Sequence, residues 1–179
     1  MTAKKQEFSS GDWLVHFTHG IGQVRRIEKK TLGGKKAKYF RVENKNSIFW
    51  VPVEQAEQSR IRPLASPYQL RKALKILKKP PREETLDYKQ RQELIKETRS
   101  NGSLPMICEL VRDLSAMQAE KSLGENDRRS LTFFKNILLQ EWSICADTTI
   151  EDAKVQLREL LSKDQDRELS KDVSSKSSN

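Results

Sequence analysis

A two-part α+β fold, a small antiparallel β-barrel followed by a compact bundle of about five helices, is the architecture this 179-residue sequence predicts. Three observations lead there. Residues 12–53 alternate short β-branched and aromatic runs with glycine and asparagine turns. At Ser66-Pro67 the apolar period changes to that of a helix and keeps it to about Leu161. The charge divides farther along the chain, near residue 100: residues 1–63 hold 13 basic and 6 acidic side chains and residues 64–100 hold 10 and 5, whereas residues 101–163 hold 8 and 10. The first hundred residues therefore carry +12 of a chain whose net charge is +9, which points to a polyanionic or acidic partner there, with the later helices as support.

The strands come first. Trp13-Leu-Val-His-Phe17, Ile21 to Thr31, Lys38-Tyr-Phe-Arg-Val42 and Ser47-Ile-Phe-Trp-Val-Pro-Val53 read as strands, separated by Gly20, Gly22, Gly33-Gly34 and Asn44-Lys45-Asn46. Four or five strands in so short a span suggest a strongly bent barrel. Alternation in the last one puts Phe49, Val51 and Val53 on one face and Ile48 and Trp50 on the other. If the first set is core, Trp50 points outward; the alternative has Trp50 covering the edge of the small core or the domain junction.

The helices follow. Ser66 caps the first, with Pro67 in its first turn, and Lys78-Lys79-Pro80-Pro81 ends it. Thr85 is a candidate cap for a second, running through Tyr88 to about Arg99 and stopped by Ser100-Asn101-Gly102. A third begins near Pro105 with Ile107, Leu110, Val111, Leu114 and Met117 at helical spacing, and a fourth near Asn126 with Leu131, Phe134, Leu138 and Trp142 on one stripe. Thr149-Ile-Glu-Asp152 opens the fifth with a capping-box pattern, and Ile150, Ala153, Leu157, Leu160 and Leu161 form its apolar face. The expected domains are thus 1–65 and 66–163, with 164–179 a disordered tail that lacks any apolar period.

Catalysis finds no inventory. The sequence has no phosphate-binding Gly-x-x-x-x-Gly-Lys loop, no Gly-x-Ser-x-Gly elbow and no His-Glu-x-x-His. His16 and His19 have no cysteine near them, so a turn role satisfied by hydrogen bonds is expected and a metal is not. Glu83-Glu84 sits among lysines as a solvated pair. Cys108 and Cys145 lie in apolar helical contexts and read as reduced packing thiols. No cofactor, small-molecule substrate or membrane is called for. No run of about 18 apolar residues occurs and the first seven residues lack the apolar core of a signal peptide, so a cytoplasmic location is expected.

Two blocks carry a family resemblance. Gly11-Asp12-Trp-Leu-Val-His-Phe-Thr-His19-Gly20-Ile-Gly22-Gln-Val24 followed by Val51-Pro52 resembles the opening of the CarD/CdnL bacterial transcription regulators, a module shared with the polymerase-interacting domain of the transcription-repair coupling factor. Ser103-Leu104, Glu109-Leu-Val-Arg112-Asp113-Leu114 and Leu123-Gly-Glu125 are similar to that family's helical domain. The resemblance spans about residues 8–162. The tail has no Arg-Gly-Arg-Pro hooks, as in the short, stand-alone CdnL type.

What the resemblance implies is a Tudor-like barrel that binds the RNA polymerase β subunit and a helical domain that touches promoter DNA at the upstream edge of the melted region. The family's polymerase-contacting positions fall on Lys30 and Trp50, with Ile48 sharing the outward face of Trp50. Many relatives carry Arg or Met where Trp50 stands. The family's DNA wedge, a Trp near the start of the second helix, falls on Tyr88, followed by the basic residues Lys89, Arg91, Lys96 and Arg99. An aromatic at a helix start can enter a minor-groove step while the bases around it neutralise phosphates; alternatively Tyr88 packs with Ile95, one heptad on. The function expected is a non-enzymatic regulator, nucleoid-associated through polymerase, that stabilises the open complex without sequence-specific readout. A general nucleic-acid-binding or nucleoid protein and a protein-only adaptor are the alternatives.

Overall fold

A computed structural model of the chain describes residues 8–54, 60–82 and 86–162. Thr85 as a cap, the Glu83-Glu84 pair and the tail from residue 164 lie outside the described residues. The chain divides into two compact units, Met1–Leu64 with Arg99–Gly102, and Ala65–Thr98 with Ser103–Asn179.

The first unit is an antiparallel sheet of β1 (Trp13–His16), β2 (Gly20–Leu32), β3 (Lys35–Glu43), β4 (Ile48–Pro52) and β5 (Ile61–Pro63), in the order β4-β3-β2-β1-β5. The expected antiparallel Tudor-like unit is therefore present, but as an open sheet rather than a closed barrel. Closure requires every strand to have two neighbours. Here the three-residue β5 pairs with β1 alone, and β4 pairs with β3 alone. Gly33 and Gly34, both at positive φ, join β2 to β3 in the two-residue turn that such backbone angles favour.

Alternation decides the core. Phe8, Leu14, Val24, Phe40, Val42, Phe49, Val51 and Ile61 form one buried cluster, with Val53 packed against it and the Phe8 ring edge-on to Phe40 at 6.0 Å. The β1–β2 turn is held from within: His16 Nδ1 accepts the backbone N–H groups of Thr18 at 3.1 Å and His19 at 3.2 Å. Burial, together with the nearby His19 and Arg60, holds the His16 imidazole down to about 4, so the neutral acceptor form is the native one. Gly22 is required by close approach, since a Cβ there would stand 2.6 Å from a Val42 methyl.

The second unit is helical: α1 (Pro67–Leu74) with a 3-10 turn at Ile76–Lys78, α2 (Tyr88–Asn101), α3 (Leu104–Glu120), α4 (Glu125–Cys145) and α5 over 150–162. Ser66 caps α1 in a full capping box with Gln69. α2 ends at Gly102, whose positive φ stops the helix. Ile107, Leu110, Val111 and Leu114 of α3, and Leu131, Phe134, Leu138 and Trp142 of α4, are buried on the stripes that the periodicity marks, with Ala153 and Leu157 on α5. The start of this unit is gripped by α4: Ala65 N–H donates to Glu141 Oε1 at 2.8 Å, and Cys145 Sγ donates to the Ala65 carbonyl at 3.0 Å. Neither cysteine forms a disulfide; Cys108 is buried, and burial pushes its thiol up to about 12, which leaves it unreactive. No described helix is long and apolar enough to cross a membrane.

Candidate functional site

Two constellations bring the sequence-derived candidates together, one on each unit. On the sheet, β4 pairs Trp50 with Arg41 and Ile48 with Glu43, facing away from the pairs Phe49–Val42 and Val51–Phe40 that fill the core. Trp50 is partly buried and Ile48 is 46% exposed. The decisive local device is a bulge in β2. Register slips between Val24 and Arg26, so Val24 opposes Val42 on the core side while Arg26 opposes Arg41 on the outer side. A one-residue slip turns every later side chain to the other face. Arg26, Glu28 and Lys30 consequently share the outer face with Trp50.

There the side chains interlock. Trp50 Nε1 donates to Glu28 Oε1 at 2.5 Å, and Lys30 Nζ lies 3.1 Å from the Trp50 ring centroid. Arg26 Nε donates to the other Glu28 oxygen at 2.9 Å. The Trp50 indole first, then Arg26, holds the Glu28 carboxyl below the usual carboxylate range. Arg41 and Arg25 both pair with Glu43. The result is a flat indole fixed between a carboxylate and an ammonium, a preorganised apolar surface with a charged rim. In such an arrangement the side chains are already ordered, so a partner docking there would have little of that entropy cost to meet.

On the helical unit the site lies where α2 and α4 begin. Asp87 and Gln90 cap α2 reciprocally, Gln90 N–H to Asp87 Oδ1 at 2.8 Å and Asp87 N–H to Gln90 Oε1 at 2.9 Å. Tyr88, the first residue of the helix, is 57% exposed, whereas Ile95 is buried. The Tyr88 hydroxyl accepts from Asn126 Nδ2 at 3.1 Å, and the Arg91 guanidinium lies 5.9 Å from the ring centroid. Arg91 is itself anchored: Nε meets Asp127 Oδ2 at 2.8 Å, and an Nη donates to the Leu86 carbonyl at 2.8 Å. Gln92 Nε2 donates to the other Asp127 oxygen at 2.6 Å, and Asp127 is 1% exposed.

Of the basic residues following Tyr88, Lys89 and Lys96 are exposed on α2, Arg91 is spent on the network just described, and Arg99 clusters with the first unit. Asn126 and Asp127, which position Tyr88 and Arg91, escape a reading along the chain because they lie more than thirty residues away in sequence. The available signal was the Asn-Asp-Arg-Arg run directly after Leu123-Gly124-Glu125, at the start of a helix. Its Arg128 and Arg129 are exposed, and Arg129 pairs with Glu125. Among the described residues no group of three or more His, Cys, Asp or Glu side chains is placed to hold a metal ion.

Comparison with known proteins follows this division. Residues 8–65 match the CarD-like/TRCF RID domain, and residues 72–158 match the CarD C-terminal domain. Over 149 residues the chain is 27% identical to the "Putative transcription factor YdeB" of Bacillus subtilis (strain 168), an alignment that covers 82% of this chain and 97% of that protein.

Proposed function

The chain belongs to the CarD family of transcription regulators, and from that premise we propose that it docks on the RNA polymerase β subunit through the outer face of its sheet and stabilises the promoter open complex through Tyr88. The observation that carries the reading is Tyr88 itself. A large aromatic left more than half exposed at a helix start, yet fixed through its hydroxyl by Asn126, is built to meet something flat. A base step opened at the edge of a bubble is such a surface. Splaying a base step costs a few kcal/mol, least where the duplex is already melting. A side chain that binds the opened edge better than the closed duplex shifts the balance toward the open form.

Lys89 and Lys96 supply phosphate contacts from the exposed side of α2, and Arg99 extends that basic line. Arg91 acts by holding the helix start in place through Asp127. Glu93 and Glu97 dilute the positive face, so DNA affinity of this unit alone is low and the contact becomes effective by tethering. Trp50, with Lys30 and Ile48, supplies the tether. No chemistry is catalysed, and the location that follows is the cytoplasm, on the nucleoid through polymerase.

The test is the lifetime of open complexes formed by the cognate holoenzyme on a linear promoter, without protein and with wild type, Tyr88→Ala or Trp50→Ala. Wild type lengthens the lifetime, and each variant loses the effect while keeping its fold. A wild-type protein that leaves the lifetime unchanged overturns the promoter role. Unchanged activity in Tyr88→Ala, with loss in Trp50→Ala, leaves a protein-only adaptor.

A further inference from the structure

The β2–β3 hairpin reaches beyond the rest of its sheet. β1 pairs with β2 only at Gly20–Gln23, and β4 pairs with β3 only at Tyr39–Glu43, the last bond of that edge being Val53 N–H to the Lys38 carbonyl. The remainder, up to the Gly33-Gly34 turn, is a two-stranded ribbon. Between Lys29 and Lys38 it carries five lysines and no acidic residue.

Register sorts these lysines. Lys30 is turned to the Trp50 ring. On the opposite face Lys29 stands directly across from Lys38, and Lys36 across from Thr31. All three of these lysines are exposed, and none forms an ion pair among the described residues. Like charges placed directly opposite each other weaken a sheet. Among the described residues no further strand lines either edge of the ribbon, so little else holds it there and this face works against its own hairpin. It suits a ligand that brings the missing negative charge in a continuous row.

Duplex DNA does so, with one charge per ~1.7 Å of helix axis, and its major groove admits a two-stranded ribbon. We propose that the β2–β3 ribbon is a second nucleic-acid site, seated in the major groove of duplex DNA with Lys29, Lys36 and Lys38 on the flanking phosphates. Lysine is a flexible point charge without the fork that reads a base edge, so the contact is independent of sequence. It requires neither polymerase nor Tyr88.

The full chain is titrated by fluorescence anisotropy against a short labelled duplex lacking any promoter, over a salt series. Each lost phosphate contact removes about 0.9 from the slope of log K against log salt. The triple variant Lys29→Gln, Lys36→Gln, Lys38→Gln lowers that slope by about 2 to 3 and weakens binding at low salt at least about tenfold. The corresponding Lys→Arg triple variant keeps the wild-type slope, because each position retains its positive charge. Thermal unfolding checks the variants; should the Gln triple fail to fold, Lys36→Gln alone lowers the slope by about 0.9. A Gln triple with the wild-type slope overturns the proposal, as does a wild-type protein that binds no duplex at low salt. Retained duplex binding with lost polymerase capture overturns it in favour of an acidic protein surface.

Discussion

Replacing Arg91 by alanine removes the guanidinium that Asp127 and the Leu86 carbonyl share, and leaves a carboxylate that is 1% exposed with Gln92 as its remaining side-chain partner. Breaking a buried pair from one side costs about 3–5 kcal/mol, because the surviving charge stays desolvated. The Gln92 bond at 2.6 Å offsets part of this, so the lower end, about 3 kcal/mol, applies. For a unit of about a hundred residues, each kcal/mol moves Tm by about 4–8 °C, which makes the expected fall at least ~12 °C. Far-UV dichroism isolates the helical unit, since the other unit is mostly sheet. The double variant Arg91→Met with Asp127→Leu fills the same space without charge and regains stability to within about 1 kcal/mol of wild type. A single Arg91→Ala cost below about 1 kcal/mol would refute the reasoning. It would mean that Asp127 is hydrated or that α2 and α4 are held at their starts by something else.

Three further outcomes are expected. Gly22→Ala destabilises the sheet unit by about 1–3 kcal/mol in urea unfolding, because the new Cβ meets the Val42 methyl at 2.6 Å with the Glu43 carbonyl oxygen 3.1 Å away; Gly20→Ala, with open space but positive φ, tests backbone strain separately. Trp50→Phe keeps a ring beneath Lys30 but loses the N–H donor to Glu28, so the Glu28 carboxyl rises toward its ordinary value in an NMR titration, while an unmoved midpoint would leave Arg26 and Lys30 as the causes. His16, lowered from 6.5 to about 4, contributes stability that is full above pH 6.5 and is lost as pH falls through about 4. Because the ring is only half-buried the contribution is on the order of 1 kcal/mol after screening. His16→Asn retains an acceptor for the Thr18 and His19 N–H groups and flattens that acid limb in urea midpoints; an unchanged limb assigns the acid loss to other groups.

The strand and helix framework is legible along the chain because its signals are local. Alternation in Ile48 to Val53 and the helical stripes of α3 and α4 follow from periodicity, and Ser66 caps where its side chain can reach a backbone N–H. Where several residues offer a cap, locality is not enough. Asp87 caps α2 with Gln90, a pairing three residues long that equals the spacing of many other polar pairs in the sequence. Barrel closure was equally beyond reach, since whether β4 and β5 meet depends on the path of the chain between them.

The candidate site divides along the same line. Composition and order alone determined a basic chain in two parts, strands before helices, with Tyr88 near a helix start, while its motif blocks carried the resemblance to the CarD family that the matches over residues 8–65 and 72–158 bear out. Tertiary structure decided what surrounds Trp50 and Tyr88. A single extra residue at Arg25 rotates Arg26, Glu28 and Lys30 onto the face of Trp50, and no periodic pattern announces a bulge in advance. Arg91, read along the helix as one more phosphate-binding base, is instead neutralised by a carboxylate thirty-six positions away. Sequence records which charges a chain owns; only the fold decides which of them meet each other out of water, and a charge already satisfied there is no longer offered to a partner.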